Sequence, residues 1–124
     1  VDFSAVSVGD SFTPVTCGTY AVERIMDAVA QGENAEDAIG RFIHGLARSS
    51  FDFAGRPKRL FLSGGFTLCA PFLSALSRYT EIVSLGRTAP LAGLWAYAAA
   101  DDPSIGPIPE ALRKSLVRAP TTPS

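Results

Sequence analysis

The chain has 124 residues, of which 47% are hydrophobic and 19% are charged, and its formal net charge is -1 at pH 7. These values are typical of one folded domain and argue against intrinsic disorder. Lys and Arg are too thinly spread for a nucleic-acid or anionic-membrane surface, and no apolar run reaches the roughly 20 residues that span a bilayer. The start, Val1-Asp2-Phe3, lacks the basic segment of a secretory signal, so we expect a cytoplasmic protein.

The periodicity of the apolar residues predicts the elements in chain order. Loose alternation near the N-terminus favours a strand, and apolar residues at helical spacing favour two helices, the second of which Asn34 caps. Gly55 and Pro57 then favour a loop. The predicted elements are a strand over 2–8, helices over 18–30 and 35–48, a loop over 49–59, a strand over 60–62, a helix from 68 or 71 to 79, a strand over 81–85, and helices over 90–100 and 109–118.

Strands that alternate with helices predict an α/β fold in three layers, with a mainly parallel or mixed sheet flanked by helices. The short run Leu60-Phe61-Leu62 is continuously apolar, which is typical of a strand buried on both faces. We expect residues 1–118 to form a single lobe and residues 119–124 to form a loose tail.

The residues Ser63-Gly64-Gly65 follow that strand directly, at the sheet edge where α/β proteins bind their ligands. Two glycines permit unusual backbone angles and let a ligand lie against the main chain. The next amides, those of Phe66 and Thr67, are expected to point from a helix N-terminus and to hold an anion or a ribose-phosphate. The alternative is a tight turn that binds nothing, and the dipeptide taken alone favours this alternative slightly.

The order of features over residues 59–100 resembles the C-terminal part of the actin/Hsp70/sugar-kinase ATPase superfamily. The matching pieces are the strand with Ser63-Gly64-Gly65, a helix over 72–79, a strand over 81–85, and a small-residue helix with Gly93-Leu94-Trp95-Ala96-Tyr97-Ala98. In that superfamily an apolar strand running into Gly-Gly opens the adenosine-binding loop. The resemblance implies a ribonuclease H-like lobe, ATP or ADP as the ligand, main-chain contacts from Gly64, Gly65, Phe66 and Thr67, and contact with the base from Arg41 on the second helix.

The N-terminal segment also resembles the second lobe of this superfamily, with a strand and turn over 3–10 and a helix start at Cys17-Gly18-Thr19-Tyr20. The chain departs from the pattern because it lacks both acidic, Gly-rich phosphate loops, and with them a carboxylate that organises Mg²⁺. Phosphoryl transfer depends on positioning and charge neutralisation, so we expect little ATP hydrolysis from this chain alone. A complementary N-terminal lobe or a second chain would complete an ATP-dependent phosphotransferase or ATPase that uses Mg²⁺.

A second hypothesis belongs to another functional class. The chain is then a non-catalytic assembly or interaction module that kept the fold and lost the chemistry. A lone lobe would expose the apolar surface that its partner normally covers, which favours homo-oligomers.

Four further residues have ordinary structural interpretations. Cys17 and Cys69 are far apart without CxxC spacing, which favours two reduced thiols over a disulfide. His44 is the only histidine, so no metal site is expected, and we predict a residue at the surface or boundary of its helix rather than a general base. Trp95 is predicted to be a core residue or an interface anchor.

Overall fold

A computed structural model describes residues 1–115 of the chain. The end of the last predicted helix and the predicted tail over 119–124 lie outside these residues. The elements are α1 (Gly18–Ala30), α2 (Ala35–Phe53), β1 (Arg59–Ser63), α3 (Ala70–Ser77), β2 (Glu81–Gly86), α4 (Ala89–Asp101) and α5 (Glu110–Ser115), with 3₁₀ turns at Phe3–Ala5, Gly65–Leu68 and Pro103–Ile105.

The two strands pair in parallel, with Leu60 opposite Ile82, and the register shifts between Leu62 and Ser63. Within residues 1–115 they form a two-stranded sheet. The α/β class and the parallel pairing are therefore confirmed, and the larger three-layer lobe stays a prediction. Among the described helices, none has the length and apolar character needed to cross a membrane.

The core lies between the sheet and helices α2 and α3. Ala47, Phe72, Ala75, Leu76 and Ile82 form its buried centre. Leu60 and Leu62 pack against this cluster, whereas the Phe61 side chain between them is 63% exposed. The prediction that β1 is buried on both faces is therefore wrong, because successive side chains of a strand point to opposite faces and the core covers one of them.

The predicted strand over 2–8 is also wrong. The Asp2 carboxylate accepts hydrogen bonds from the Ser4 amide at 2.9 Å and from the Ser4 hydroxyl at 2.6 Å, and these bonds hold the turn Phe3–Ala5. Such local side-chain bonds compete with regular secondary structure. The chain then continues as an irregular segment over residues 6–16, which we name the strap.

Helix α2 begins as predicted, since the Asn34 side chain accepts a hydrogen bond from the Asp37 amide at 3.2 Å. It extends five residues beyond the predicted end, to Phe53 rather than residue 48. Asp52 explains part of this extension, because its carboxylate pairs with Arg48 at 3.6 Å and with Arg56 at 2.8 Å, each at a spacing of four residues. The predicted loop therefore begins only after this last turn.

The strap lies directly on α2 at two glycines. A Cβ atom on Gly40 would lie 2.2 Å from the carbonyl oxygen of Ser7, and one on Gly45 would lie 1.8 Å from that of Thr13. The Thr13 amide donates to the Arg41 carbonyl at 3.1 Å. Any larger residue at either glycine would therefore displace the strap backbone.

The imidazole of His44 is buried beneath the strap. Its side chain is 1% exposed, and its two nitrogens lie 3.2 Å from the Ser11 carbonyl oxygen and 2.5 Å from the Tyr79 hydroxyl. The prediction of a surface or boundary residue is wrong. The strap and Tyr79, both distant in sequence, bury the face of α2 that carries His44 and supply its hydrogen-bond partners.

We predict that Gly45→Ala destabilises the protein by roughly 1–3 kcal/mol, because the new methyl group overlaps the Thr13 carbonyl and the strap must move. Gly93→Ala is the matched control. Gly93 lies inside α4 with no described atom within 4 Å of an added Cβ, so this change should raise stability by about 0.5–1 kcal/mol. Denaturant unfolding measures both, and equal stability of the two variants would contradict the packing of the strap.

Candidate functional site

The loop after β1 begins at a position that requires glycine. Gly64 has φ 90° and ψ -165°, a region of backbone space that side chains other than hydrogen rarely permit. Its amide donates to the Gly86 carbonyl at 3.1 Å, which ties the loop to the end of β2. The sequence pattern therefore identified a glycine whose backbone angles the turn needs.

The strand does not run straight into an α-helix. The 3₁₀ turn Gly65–Leu68 comes first, and α3 begins only at Ala70. The Thr67 amide donates to the Gly64 carbonyl at 3.1 Å, and the Thr67 hydroxyl donates to the same oxygen at 2.7 Å. The expectation that the Thr67 amide is available to a ligand is therefore wrong, because the turn uses it.

The amides of Gly65 and Phe66 have no acceptor among residues 1–115. Backbone donors normally find a partner in the protein or in water, so these two are available to a ligand oxygen. The Phe66 ring packs against Phe72, with centroids 4.6 Å apart. Packing of this ring fixes the residue that carries one of the two amides.

A groove opens beside Gly65, with a volume of about 530 Å³. One wall contains Phe3 of the N-terminal turn and Val6, the first residue of the strap, and another contains Leu68 of the second 3₁₀ turn. Phe3 is 71% exposed and Leu68 is 70% exposed. The remaining lining residues are Ser4, Ile43, Cys69, Ala70 and Pro71. We name this feature the Gly65 groove; its lining is mostly apolar and contains no charged side chain.

Arg41 does not line the Gly65 groove. Its guanidinium pairs with Glu33, and its carbonyl accepts the bond from the strap at Thr13. Helix α2 instead contributes Ile43 to the groove, because two residues along a helix turn the side chain by about 200°. Sequence reasoning missed Ile43, Phe3 and Leu68, and only Leu68 had a signal, since it directly follows the residues Gly64 to Thr67 that were predicted to contact the ligand.

The lining of the groove suits the base and ribose-phosphate of a nucleotide better than its Mg²⁺-bound phosphate chain. Apolar walls and two available amides suit a base and a ribose-phosphate oxygen. A Mg²⁺–phosphate chain needs carboxylates and cations, and the described lining provides neither. Within the described residues, no three His, Cys, Asp or Glu side chains are grouped to hold a metal ion.

A second pocket, of about 240 Å³, lies at the start of α1 and includes Cys17, Tyr20 and Arg24. Cys17 and Cys69 are both free thiols, which agrees with the prediction of two reduced cysteines. Cys17 is exposed and makes no regular capping hydrogen bond. The backbone N–H groups of Tyr20 and then Thr19 nevertheless lower the pKa of the Cys17 thiol from its ordinary value of 9.0.

Comparison of the chain with protein-family models, with curated proteins and with solved structures gives no match. The functional hypothesis therefore rests on the residue pattern over 59–100 and on the geometry of the Gly65 groove.

We predict that Cys17 reacts with iodoacetamide faster than Cys69 at pH 7.5. A lowered pKa means that more Cys17 is thiolate below pH 9, and the thiolate is the nucleophile. The rate at Cys17 should rise with pH and level off with a midpoint below 9.0. Mass spectrometry of the Cys69→Ser variant isolates this profile, and a midpoint at or above the ordinary value would contradict the effect of the α1 amides.

Proposed function

We propose that the chain is a nucleotide-binding lobe that takes the adenosine part of ATP or ADP in the Gly65 groove. One observation carries the proposal: the loop that the sequence pattern assigns to adenosine is also the loop that borders an apolar groove of about 530 Å³.

The groove supports the binding of a purine through burial of its faces. The exposed Phe3 ring and the exposed Leu68 side chain both line the groove, so an inserted base would cover apolar surface that now faces solvent. Aromatic rings add a stacking contribution of about 0.5–1.5 kcal/mol. The available Gly65 and Phe66 amides would bond a ribose or phosphate oxygen.

The rest of the nucleotide site would come from outside the described residues. In this proposal the chain is the C-terminal, ribonuclease H-like lobe of an actin/Hsp70/sugar-kinase-like protein, and a complementary lobe supplies the phosphate loops and the carboxylates that hold Mg²⁺. Such two-lobed sites close by hinge motion when a nucleotide bridges the lobes.

The second candidate function is assembly with other chains. Apolar side chains of α1 and α4 are largely exposed, and they include Val22, Met26, Leu91, Leu94 and Tyr97. Large exposed apolar patches are typical of protein–protein contact surfaces. This observation favours a partner or a homo-oligomer, and it does not require a nucleotide.

We predict that ADP raises the melting temperature of the wild-type chain and that Gly65→Leu abolishes the shift. No described atom lies within 4 Å of a Cβ added to Gly65, and its φ does not require glycine. The leucine should therefore fill the groove without straining the loop. We expect the affinity for ADP to fall at least tenfold, about 1.4 kcal/mol.

Gly93→Leu is the matched control, because Gly93 is equally open and lies outside the groove lining. It should bind ADP as wild type does. Absence of any shift with millimolar ADP in the wild-type chain would refute the nucleotide proposal and favour the assembly module.

A further inference from the structure

We propose that the strap positions the Gly65 groove, and that the buried His44 and its half-buried partner Tyr79, which both lie outside the groove, control the affinity for ligand by locking the strap onto α2. This inference rests on the proposed function, because the ligand is the adenine nucleotide of that site. It adds two positioning residues and a route by which strap and ligand influence each other.

The strap and the wall of the groove are one continuous segment. Val6 lines the groove and is buried, and the next residue, Ser7, is the one whose carbonyl lies against Gly40. Before them, the Asp2 amide donates to the Glu36 carboxylate of α2 at 3.0 Å. The position of this wall relative to Gly65 therefore depends on how the segment sits on α2.

Arg78, which caps the end of α3, holds the next part of the strap from the other side. Its guanidinium donates to the Asp10 carboxylate at 2.6 Å and to the Val8 carbonyl at 3.1 Å. At the C-terminal end of the strap, the Val15 carbonyl accepts a hydrogen bond from the Ser49 hydroxyl of α2 at 3.1 Å. The strap is thus bonded to two helical segments along its length.

The contact that locks the strap lies midway along it, where Ser11 bonds to His44 and His44 bonds to Tyr79. The Ser11 carbonyl can only accept, so Nδ1 of His44 carries the proton that bonds to it, and Nε2 is left to accept from the Tyr79 hydroxyl. The Phe12 ring covers the imidazole with centroids 5.3 Å apart. The Arg48 guanidinium lies over the rings of both Phe12 and Tyr79, at 5.5 Å and 5.2 Å.

The two hydrogen bonds of His44 depend on each other. The strap covers His44, so while it is locked the Nδ1 donor depends on the Ser11 carbonyl, and loss of the Tyr79 hydroxyl leaves Nε2 without a donor until the strap lifts and admits water. An unpaired buried polar atom is costly, so breaking either bond favours the unlocked strap. In a molecule with an unlocked strap, one wall of the groove is out of place. The measured affinity of the protein for the nucleotide therefore falls in proportion to the fraction of molecules whose strap is still locked.

The test compares Tyr79→Phe and Gly45→Ala with Ile82→Val. The first two unlock the strap without touching the groove lining, whereas Ile82 lies in the core of the sheet. Titration calorimetry with ADP should show affinity losses of about tenfold for Tyr79→Phe, the effect of one lost hydrogen bond to the buried His44, and at least as much for Gly45→Ala. Ile82→Val should stay within about twofold of wild type, although its melting temperature also falls.

Hydrogen exchange gives a readout that general destabilisation would not produce. Coupling between the groove and the strap is reciprocal. In the wild-type chain, ADP should therefore slow hydrogen exchange of the Thr13 amide, which donates to the Arg41 carbonyl of α2. Without any nucleotide, this amide should exchange faster in Tyr79→Phe than in Ile82→Val. If Gly45→Ala does not fold, Tyr79→Phe decides the matter by itself.

The outcomes separate the two proposals. ADP binding by wild type with an unchanged affinity in Tyr79→Phe would overturn the positioning role and leave the proposed function standing. Equal affinity losses in Tyr79→Phe and Ile82→Val would overturn it as well, since stability alone would explain them. Absence of ADP binding by wild type would overturn the proposed function and, with it, the coupling to the strap.

Discussion

Gly40 and Gly45 allow the backbone of the strap to lie on α2 at distances that no side chain would permit. The strap backbone therefore packs directly on the helix, and Ser11 and Phe12 of the strap lie against His44. The rest of the N-terminal region depends on this contact, because residues 2–16 have no sheet partner among the described residues and are held by bonds to α2 and to Arg78. The absence of side chains at Gly40 and Gly45 therefore determines how residues 2–16, more than a tenth of the chain, pack on α2.

The same contact relates the fold to the candidate site. β1 and β2 bring the loop at Gly64 to the carboxyl edge of the sheet, and the N-terminal turn stands opposite it because the strap is fixed on α2. One wall comes from the start of the chain and the other from its middle. In the proposed function, this groove takes an adenosine through apolar and main-chain contacts, and a complementary lobe would contribute the charges that phosphoryl transfer needs.

Local signals in the sequence predicted the parts of this structure that local interactions determine. The cap at Asn34 and the special glycine after β1 were predicted from residues close together in the chain, and the parallel pairing was predicted from the alternation of strands with helices. Residues 2–8 were predicted as a strand because alternation does not reveal that the partners of this part of the chain are α2 and Arg78. The sequence analysis also missed the burial of His44 and the fact that Ile43, rather than Arg41, lines the groove. Both features depend on contacts between segments that are distant in the chain.

The central claim is that the Gly65 loop and the N-terminal turn form two walls of one adenosine site. Amide chemical shifts measured by NMR during a titration with ADP test it most directly. The account predicts saturable shifts at Gly65 and Phe66 together with Ser4 and Val6, residues far apart in sequence that line or border one groove. Shifts confined to the pocket near Cys17, or to one wall alone, would contradict it.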